Sequence, residues 1–568
     1  MNRQVLIVNI TRMGDLVQTG PLIGRLQEEW PGVAVDVVVD RTFAPMAELL
    51  PGVRHVLPYD FQGLIDRSRV RMADVVAIHR DMAAWGWPLV EARYDRVINL
   101  TFNQRSAFLS SYVGAPDVRG AAAARDGGMR LHNPWMSYFV DLHRHRRFNA
   151  FNIVDLFALG GSGPGRFVPM ALSVDRTAAD WAGSFLAGAG APQTWIGIQV
   201  GASEVIKAWR PHYFGEVMAA LAATGPVGFV MIGGAQEAGA VREAVEAYRA
   251  AARAAGTPER PVCDAVGRTS LPQLVALLAR CRLLLTNDTG PMHLAVSVGT
   301  PVVDLSVGHV DYKETGPYGP GHWVVQPDLD CAPCGFDTVC PHHACKDRVD
   351  IAGVAALARH ALGAGDLPTR VGGVRVYRAE TDEDGLCAYR LAAGTEGAME
   401  RWYKPFWRRF WYETLTGRPS ASPAPEGLPP DWESVRPLAG WMASQARDLA
   451  TRMRQVAKGC RQMRPDVRAL NQAQGALADA TARVVETAMR TAAFGEVTVA
   501  LMRDKQNVDG IGLGELAAQQ AAAYERFERR VGTIARTLGG ADQRTGAGRT
   551  AARRLSEEER MVCHASHA

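Results

Sequence analysis

A short polar turn between two apolar runs is the part of this chain best suited to hold a phosphate group. The turn reads NDTGPMH (287–293) and follows a strand-like run. Gly290 lets a ligand approach the backbone, and Thr289 offers a hydroxyl. The helix that begins here presents free N–H groups and a positive dipole end, which suit a diphosphate. In the alternative interpretation, Asp288 only caps the helix and His293 is structural.

A second loop of this kind carries cations after a strand. The segment IQVGASEVIKAWRPHYF (198–214) places Ser203, Lys207 and Arg210 between a strand and a helix. Lys207 or Arg210 could neutralise phosphate charge that builds up as a leaving group departs. The alternative is two solvated surface cations.

A third loop could supply a base. In NITRMGDLVQTGPL (9–22), Gly14 shapes the turn and Asp15 follows the first strand. A carboxylate at the carboxyl end of a sheet could accept a proton from an acceptor hydroxyl. The alternative is a helix cap.

Four of the nine cysteines lie close together in the sequence, at Cys331, Cys334, Cys340 and Cys345. This spacing suits a tetrahedral zinc site, which we expect to be structural and not catalytic. An iron–sulfur cluster and a set of reduced thiols in a tight loop are the alternatives. The odd total argues against a disulfide framework.

Alternating strands and helices must position these loops. Runs such as VLIVNI (5–10) and VAVDVVVD (33–40) alternate with helical patterns, and the alternation restarts after GGSGPG (160–165). Such alternation predicts βαβ units and a mostly parallel sheet. We therefore predict two doubly wound lobes, over residues 1–165 and 166–365.

The character of the chain changes after about residue 365. The predicted parts are a hairpin with a basic aromatic segment (366–416), a Pro-rich linker (417–430), a helical extension (431–540) and a disordered tail (541–568).

Two segments mix cations with aromatic or histidine residues. ERWYKPFWRRFWYETL (400–415) suits either a membrane–water interface or a helix docked onto another lobe. Pro405 argues against one straight amphipathic helix there. HRHRRF (143–148) is either a solvated charged face or a contact for a phosphorylated glycolipid.

The totals exclude several classes of protein. A formal charge of +4 gives no indication of a nucleic-acid partner. Neither a secretory signal nor an apolar run of about 18–20 residues is present, so we expect a cytoplasmic protein, with attachment to a membrane face left open.

Together the three loops resemble glycosyltransferase family 9, the ADP-heptose–lipopolysaccharide heptosyltransferase family. The resemblance rests on NITRMGDLVQTGPL, GASEVIKAW and NDTGPMHLAVSVGTPVV followed by TGPYGPGHWVV (315–325), and it covers roughly residues 1–360. It implies a GT-B fold of two facing Rossmann-like lobes, with an α-helical C-terminal extension outside the resemblance.

The resemblance also implies roles for individual residues. Asp15 matches the catalytic base of an inverting, metal-independent transfer, and Lys207 matches a phosphate-binding lysine. The donor-binding positions are Ser203, Glu237, Asp288, Thr289, Gly290 and His293. The family arginine of the first loop is replaced by Asn9, which leaves Arg12 as the nearest cation on the acceptor side with Gly14.

The function implied is transfer of a sugar, such as heptose from ADP-heptose, onto a lipopolysaccharide core or related glycan. Its partners would be a nucleotide-sugar donor, a glycolipid or glycan acceptor, and the inner membrane through peripheral contact, with no catalytic cofactor. The alternatives are another sugar-nucleotide enzyme, such as an epimerase, and a catalytically silent scaffolding protein.

Overall fold

A computed structural model describes residues 3–60, 63, 72–369, 371–462 and 466–544. The chain divides into two compact units. Unit 1 comprises residues 1–123, 131–139 and 150–396, and unit 2 comprises residues 124–130, 140–149 and the chain from 397 onward. From position 545 onward, the tail predicted over 541–568 lies outside the described residues.

The first lobe of unit 1 is built on a six-stranded sheet. Its elements, together with the neighbouring α7, are β1 (Gln4–Val8), α1 (Met13–Val17), α2 (Gly20–Glu29), β2 (Ala34–Asp40), α3 (Ala44–Ala47), β3 (Val53–Tyr59), α4 (Met72–Glu91), β4 (Arg96–Asn99), α5 (Gln104–Val113), β5 (Asp117–Ala123), β6 (Met129–His132), α6 (Pro134–Val140), α7 (Leu142–His145) and α8 (Ile153–Gly161).

The second lobe of unit 1 is built on an eight-stranded sheet. Its elements are α9 (Arg176–Ala189), β7 (Thr194–Gln199), α10 (Pro211–Ala222), β8 (Val227–Ile232), α11 (Ala238–Ala254), β9 (Val262–Asp264), α12 (Leu271–Leu278), β10 (Leu283–Asn287), α13 (Gly290–Ser297), β11 (Val302–Leu305), α14 (Tyr312–Thr315), β12 (Trp323–Pro327), α15 (Ala344–Asp347), α16 (Ile351–Ala361), β13 (Val374–Thr381) and β14 (Cys387–Ala393).

The two sheets repeat one strand order. The first runs β3-β2-β1-β4-β5-β6, and the second runs β9-β8-β7-β10-β11-β12 before the hairpin strands β13 and β14. Strands β1 to β5 pair in parallel, as do β7 to β12, whereas β13 and β14 add antiparallel strands at the edge. The predicted α/β class with two doubly wound lobes is confirmed.

The central strands are mostly apolar because both faces of each sheet are covered there. β8 and β10 are buried at every residue. One hydrophobic core joins the lobes and includes Leu22 of α2 and Met292 of α13. The loops that follow the central strands are therefore carried by a rigid framework.

Unit 2 contains the long helices α17 (Ala398–Thr416), α18 (Trp432–Cys460), α19 (Val467–Met489), α20 (Gly495–Gln506) and α21 (Leu513–Arg544). No helix in the described part of the chain is long and apolar enough to cross a lipid bilayer.

The basic aromatic segment forms one continuous helix, α17, that runs through Pro405. Pro405 therefore does not interrupt this helix. Trp402, Phe406 and Trp411 are among eight buried residues of α17, so burial of aromatic surface outweighs the preference of proline for helix ends. These rings are therefore core residues of unit 2 and do not face a membrane.

Two short segments that precede α8 in the chain also belong to unit 2, although the sequence suggested the first lobe for them. His145, from the basic stretch, is buried with its Nδ1 atom 3.3 Å from the Glu496 carboxylate. Asp141 is buried and accepts two hydrogen bonds from Arg503, each of 2.7 Å. Since these contacts depend on residues more than 300 positions away, the local sequence gives no indication of them.

Candidate active site

The site lies where both sheets reverse their strand order. In an open parallel sheet, ligands bind beyond the carboxyl ends of the strands at this switch point. β1 of the first lobe and β7 and β10 of the second are the strands beside the switch, and each is followed by one of the three predicted loops. A cleft of about 730 Å³ results. Ten predicted residues line it: Arg12, Gly14, Asp15, Ser203, Lys207, Glu237, Asp288, Thr289, Gly290 and His293.

Asp15 lies on the short helix α1 and is held through its backbone and its side chain. Its carbonyl accepts hydrogen bonds from Asn9 Nδ2 (3.0 Å) and Thr19 Oγ1 (3.1 Å). Its Oδ2 atom accepts one from Thr11 Oγ1 at 3.1 Å. Burial raises the pKa of Asp15, and the Thr11 hydrogen bond and Arg12 oppose that rise. A carboxyl group held in this way can act as a proton acceptor.

Lys207 approaches the loop after β10. Its Nζ atom is 3.6 Å from Asp288 Oδ2, and both side chains are largely buried. Asp288 Oδ2 also accepts a hydrogen bond of 2.8 Å from Thr315 Oγ1. The Lys207–Asp288 distance is longer than a hydrogen bond, so an anionic ligand could draw the ammonium away from this partner.

The loop that carries Lys207 is fixed at two points by groups outside it. Asn287 donates to the carbonyls of Val200 (2.8 Å) and Gly201 (3.1 Å), and its Oδ1 atom accepts from the Trp209 backbone N–H (2.9 Å). Buried Lys346 donates from Nζ to the Val205 carbonyl at 2.6 Å. Asn287 at the end of β10 and Lys346, which directly follows Cys345, therefore hold the Lys207 loop in place.

Arg210, the other predicted phosphate-neutralising cation, has a different partner. Its Nη2 atom donates to Asp347 Oδ2 at 2.7 Å, and its Nε atom donates to Asp347 Oδ1. Arg210 is not among the residues that line the cleft. Of these two cations, Lys207 alone faces the cleft.

Helix α13 begins at the cleft with unfilled hydrogen-bonding capacity. It starts at Gly290, has Pro291 in its first turn, and receives no side-chain cap from Thr289. The first backbone N–H groups of such a helix and its dipole favour an anion. The alternative, in which Asp288 caps the helix, is not supported. Thr289 occupies the cap position, and among the described residues no side-chain cap forms at this end of α13.

The two lobes touch directly at the site. A Cβ atom added at Gly14 would lie 3.3 Å from His293 Cδ2, and one added at Gly290 would collide with the Met13 side chain. Gln18 Nε2 lies 3.4 Å from His293 Nε2. Burial lowers the pKa of His293 to about 4, so this imidazole is neutral near pH 7. Glycines on both sides allow α1 and α13 to approach.

Glu237 lines the cleft but its carboxylate already has protein partners. Its Oε2 accepts from the Gly234 backbone N–H at 2.7 Å, and its Oε1 accepts from Gln199 Nε2 at 3.2 Å. The carboxylate stabilises the turn after β8. Its role toward a ribose stays a prediction.

A further acidic residue, Asp304, lies fully buried at the end of β11. Burial and the nearby Asp288 raise its pKa well above the ordinary range, and Ser306 Oγ donates to its Oδ2 at 2.5 Å. Burial therefore favours the uncharged form of this carboxyl group.

The four clustered cysteines differ in exposure. Cys331 is exposed, Cys340 is half-buried, and Cys334 and Cys345 are buried. Burial raises the pKa of Cys345. Within the described ranges, no three His, Cys, Asp or Glu side chains are grouped so that they could hold a metal ion. The geometry therefore lends the zinc site no support, and the site stays a prediction.

Three residues of the site were not singled out from the sequence. Gln18 lies beside His293, Thr315 donates to Asp288, and Asn287 fixes the Lys207 loop. All three residues lie within the motif segments, but none of their side chains carries a local signal that reveals its partner.

The chain is similar in sequence to known heptosyltransferases. Residues 82–344 match the model of glycosyltransferase family 9 (heptosyltransferase). Lipopolysaccharide heptosyltransferase 1 of Pseudomonas aeruginosa is 27% identical over 339 residues, which are 58% of this chain and 86% of that protein. Lipopolysaccharide heptosyltransferase 3 of Escherichia coli is 24% identical, with coverage of 51% and 80%.

Among solved structures, the E. coli ADP-heptose lps heptosyltransferase II superposes with a TM-score of 0.47 at 20% identity, covering 63% of this chain and 98% of that one. Asp15 precedes the part matched by the family model, whereas Lys207 and the Asp288–His293 segment lie inside it. The chain is thus a glycosyltransferase, with a family 9 domain matched over residues 82–344.

Proposed function

We propose that this protein transfers heptose from ADP-heptose onto a lipopolysaccharide core or a related glycan, with inversion at the anomeric carbon. The names of the relatives, lipopolysaccharide heptosyltransferases 1 and 3, support heptose as the sugar and lipopolysaccharide as the acceptor. The observation that carries the proposal is that Asp15 from the first lobe and Lys207 with Asp288 from the second line one cleft.

Asp15 is the general base in this proposal. Its carboxylate takes the proton of an acceptor hydroxyl, and the hydroxyl oxygen forms a bond to the anomeric carbon of the donor. The bond between that carbon and the diphosphate oxygen breaks, and the nucleotide diphosphate leaves. The raised pKa of Asp15 supports the role because a base is most effective when its pKa is close to the working pH.

Lys207 and helix α13 serve the leaving group. The Lys207 ammonium moves from Asp288 to the diphosphate, and the free N–H groups at the start of α13 bind the phosphate oxygens. Both stabilise the negative charge that grows on the diphosphate as the bond breaks. These residues supply the stabilisation themselves, so no metal ion is required in this mechanism.

Contact between both lobes at the site supports exclusion of water. Gly14 and His293 approach across the cleft, and Gln18 lies against the same imidazole. A closed cleft favours transfer to a sugar hydroxyl over hydrolysis. A glycolipid acceptor also implies that the protein works at the surface of a membrane.

Incubation of the purified full-length chain with ADP-heptose and a lipopolysaccharide-core acceptor tests the proposal. We expect an acceptor-dependent product with an inverted anomeric configuration, detected by mass spectrometry and NMR, and formed equally well in the presence of EDTA. A product formed without acceptor would instead identify an epimerase. Turnover of a UDP-sugar but not of an ADP-sugar would contradict the donor assignment.

A further inference from the structure

The two units carry opposite formal charge. Unit 2, counted to residue 544, holds 27 Lys and Arg against 18 Asp and Glu, whereas unit 1 holds 32 against 38. The near-neutral total of +4 conceals this separation. A cationic module of this kind attracts an anionic partner.

The positive charge of unit 2 includes a groove between α18 and α21. The groove has a volume of about 710 Å³. Its floor contains small residues at Ala443, Gly532 and Ala535, which leave room between the helices. Four arginines line it: Arg447, Arg454, Arg529 and Arg536.

Acidic residues neutralise only part of this groove. Arg454 lies 3.6 Å from Glu525 and 3.7 Å from Glu528, the two glutamates of the lining. Within the described residues, no ion pair involves Arg447, Arg529 or Arg536, and all three are exposed. Arg536 donates from Nη2 to the Thr533 hydroxyl at 3.1 Å, so the three guanidinium groups keep a positive charge that no carboxylate of the described residues neutralises.

The chemistry of the groove indicates a phosphate ligand. A guanidinium group can donate two parallel hydrogen bonds to the oxygens of one phosphate. Each helix presents two arginines separated by seven residues, and this spacing places them on one helix face about 10 Å apart. None of the residues that line the groove is aromatic, so the groove lacks the stacking platforms that single-stranded nucleic acids require.

We propose that this arginine groove binds the phosphate groups of an anionic lipid surface and thereby holds the protein at the membrane. The proposal rests on the proposed function, because a glycolipid acceptor lies in such a surface. It assigns membrane contact to α18 and α21 and not to the aromatic helix α17, whose rings are buried.

Sedimentation of the full-length protein with vesicles tests the groove. We expect binding to vesicles of phosphatidylglycerol and phosphatidylcholine but not of phosphatidylcholine alone, and binding should weaken as salt is added. Replacing Arg447, Arg529 and Arg536 by alanine should lower the affinity about a hundredfold, since each cation at an anionic surface contributes about 1 kcal/mol, or about fivefold.

The matched control removes the same charge elsewhere in unit 2. Arg468 and Arg483 lie exposed on α19, Arg490 lies exposed immediately after it, and none of the three lines the groove. Their replacement by alanine should change vesicle affinity only about threefold, through the weaker long-range attraction. A third variant, R447K/R529K/R536K, keeps the charge and should retain most of the vesicle binding even if the alanine variant folds poorly.

The assignment would be overturned if the protein did not bind the anionic vesicles, or if the groove and control variants lost equal vesicle affinity. Loss of vesicle binding in millimolar inorganic phosphate at constant ionic strength would identify free phosphate as the ligand and would also overturn it. Tighter binding of a single-stranded oligonucleotide than of the vesicles would overturn it as well. Transfer to a soluble acceptor separates this proposal from the proposed function. The groove variant should keep that activity, whereas failure of the proposed function would remove the activity from the unmodified protein.

Discussion

The Nζ atom of Lys207 lies 3.6 Å from Oδ2 of Asp288, and the same oxygen accepts a hydrogen bond from Thr315. These groups come from three separate segments of the second lobe. The pair is largely buried, so Lys207 has a defined position before any donor arrives. In the proposed mechanism, arrival of the diphosphate exchanges one anionic partner of Lys207 for another.

Replacing Lys207 by methionine should remove most of the leaving-group stabilisation. We expect kcat to fall on the order of 10²-fold, the usual cost of losing one preorganised group at a developing charge. Arg210 provides the matched control, because it belongs to the same loop but pairs with Asp347. R210M should change kcat by no more than about threefold, as expected for an exposed ion pair. Equal losses of kcat for K207M and R210M in steady-state assays would contradict a specific role of Lys207 in stabilising the leaving group.

Lys346 should act on the reaction through Lys207. Its hydrogen bond to the Val205 carbonyl holds the loop, so we expect K346M to lower kcat about tenfold, as for a charged hydrogen bond of about 1.5 kcal/mol. In a double-mutant cycle, K207M/K346M should lose little more than K207M alone. Additive losses would show that Lys346 contributes only to general stability.

The pH dependence of transfer should report Asp15. Burial raises the pKa of this carboxyl group, and the base is active only when deprotonated, so kcat/KM should fall with decreasing pH at a pH above the ordinary Asp range. The Thr11 hydroxyl favours the charged form, so T11V should move this limb to still higher pH, and T11S should restore it. Burial lowers the pKa of His293 to about 4, so its imidazole is neutral near pH 7. An acid limb that T11V leaves unmoved would contradict the assignment.

Arg503 should contribute strongly to the stability of unit 2. Its two hydrogen bonds satisfy the buried Asp141 carboxylate, and removing one partner of a buried pair costs about 3–5 kcal/mol. We expect R503A to lower the free energy of unfolding in urea by about this amount. R490A, which breaks an exposed pair with Glu486, should cost less than about 1 kcal/mol. Similar unfolding midpoints for the two variants would refute this prediction.

The central strands and the convergence of the three loops were predictable from the sequence. Asp15, Lys207 and Asp288 each follow an apolar run, and the carboxyl ends of parallel strands share one edge of a sheet. The strand β12 (Trp323–Pro327) was not assigned, although its residues form part of the TGPYGPGHWVV motif. Its apolar run is short, and periodicity alone does not identify so brief a strand.

Contacts between distant residues were not predictable. The segment 135–161 has one helical pattern but forms three helices, and its middle part joins unit 2 through Asp141 and His145. Asn9, noted as a departure from the family arginine, supports the Asp15 carbonyl. Tertiary packing determines the contacts of Asp141, His145 and Asn9, and local sequence propensity does not indicate which residue each of them contacts.

The most direct test of the account is transfer by D15N at saturating ADP-heptose, with D40N as the control. Asp40 is a comparable carboxyl group at the end of the adjacent strand β2, where it caps the following turn. We predict that D15N lowers kcat on the order of 10²–10⁴-fold, while calorimetry finds its donor affinity unchanged and D40N keeps full activity. Full transfer activity in D15N would contradict the proposal that Asp15 is the base.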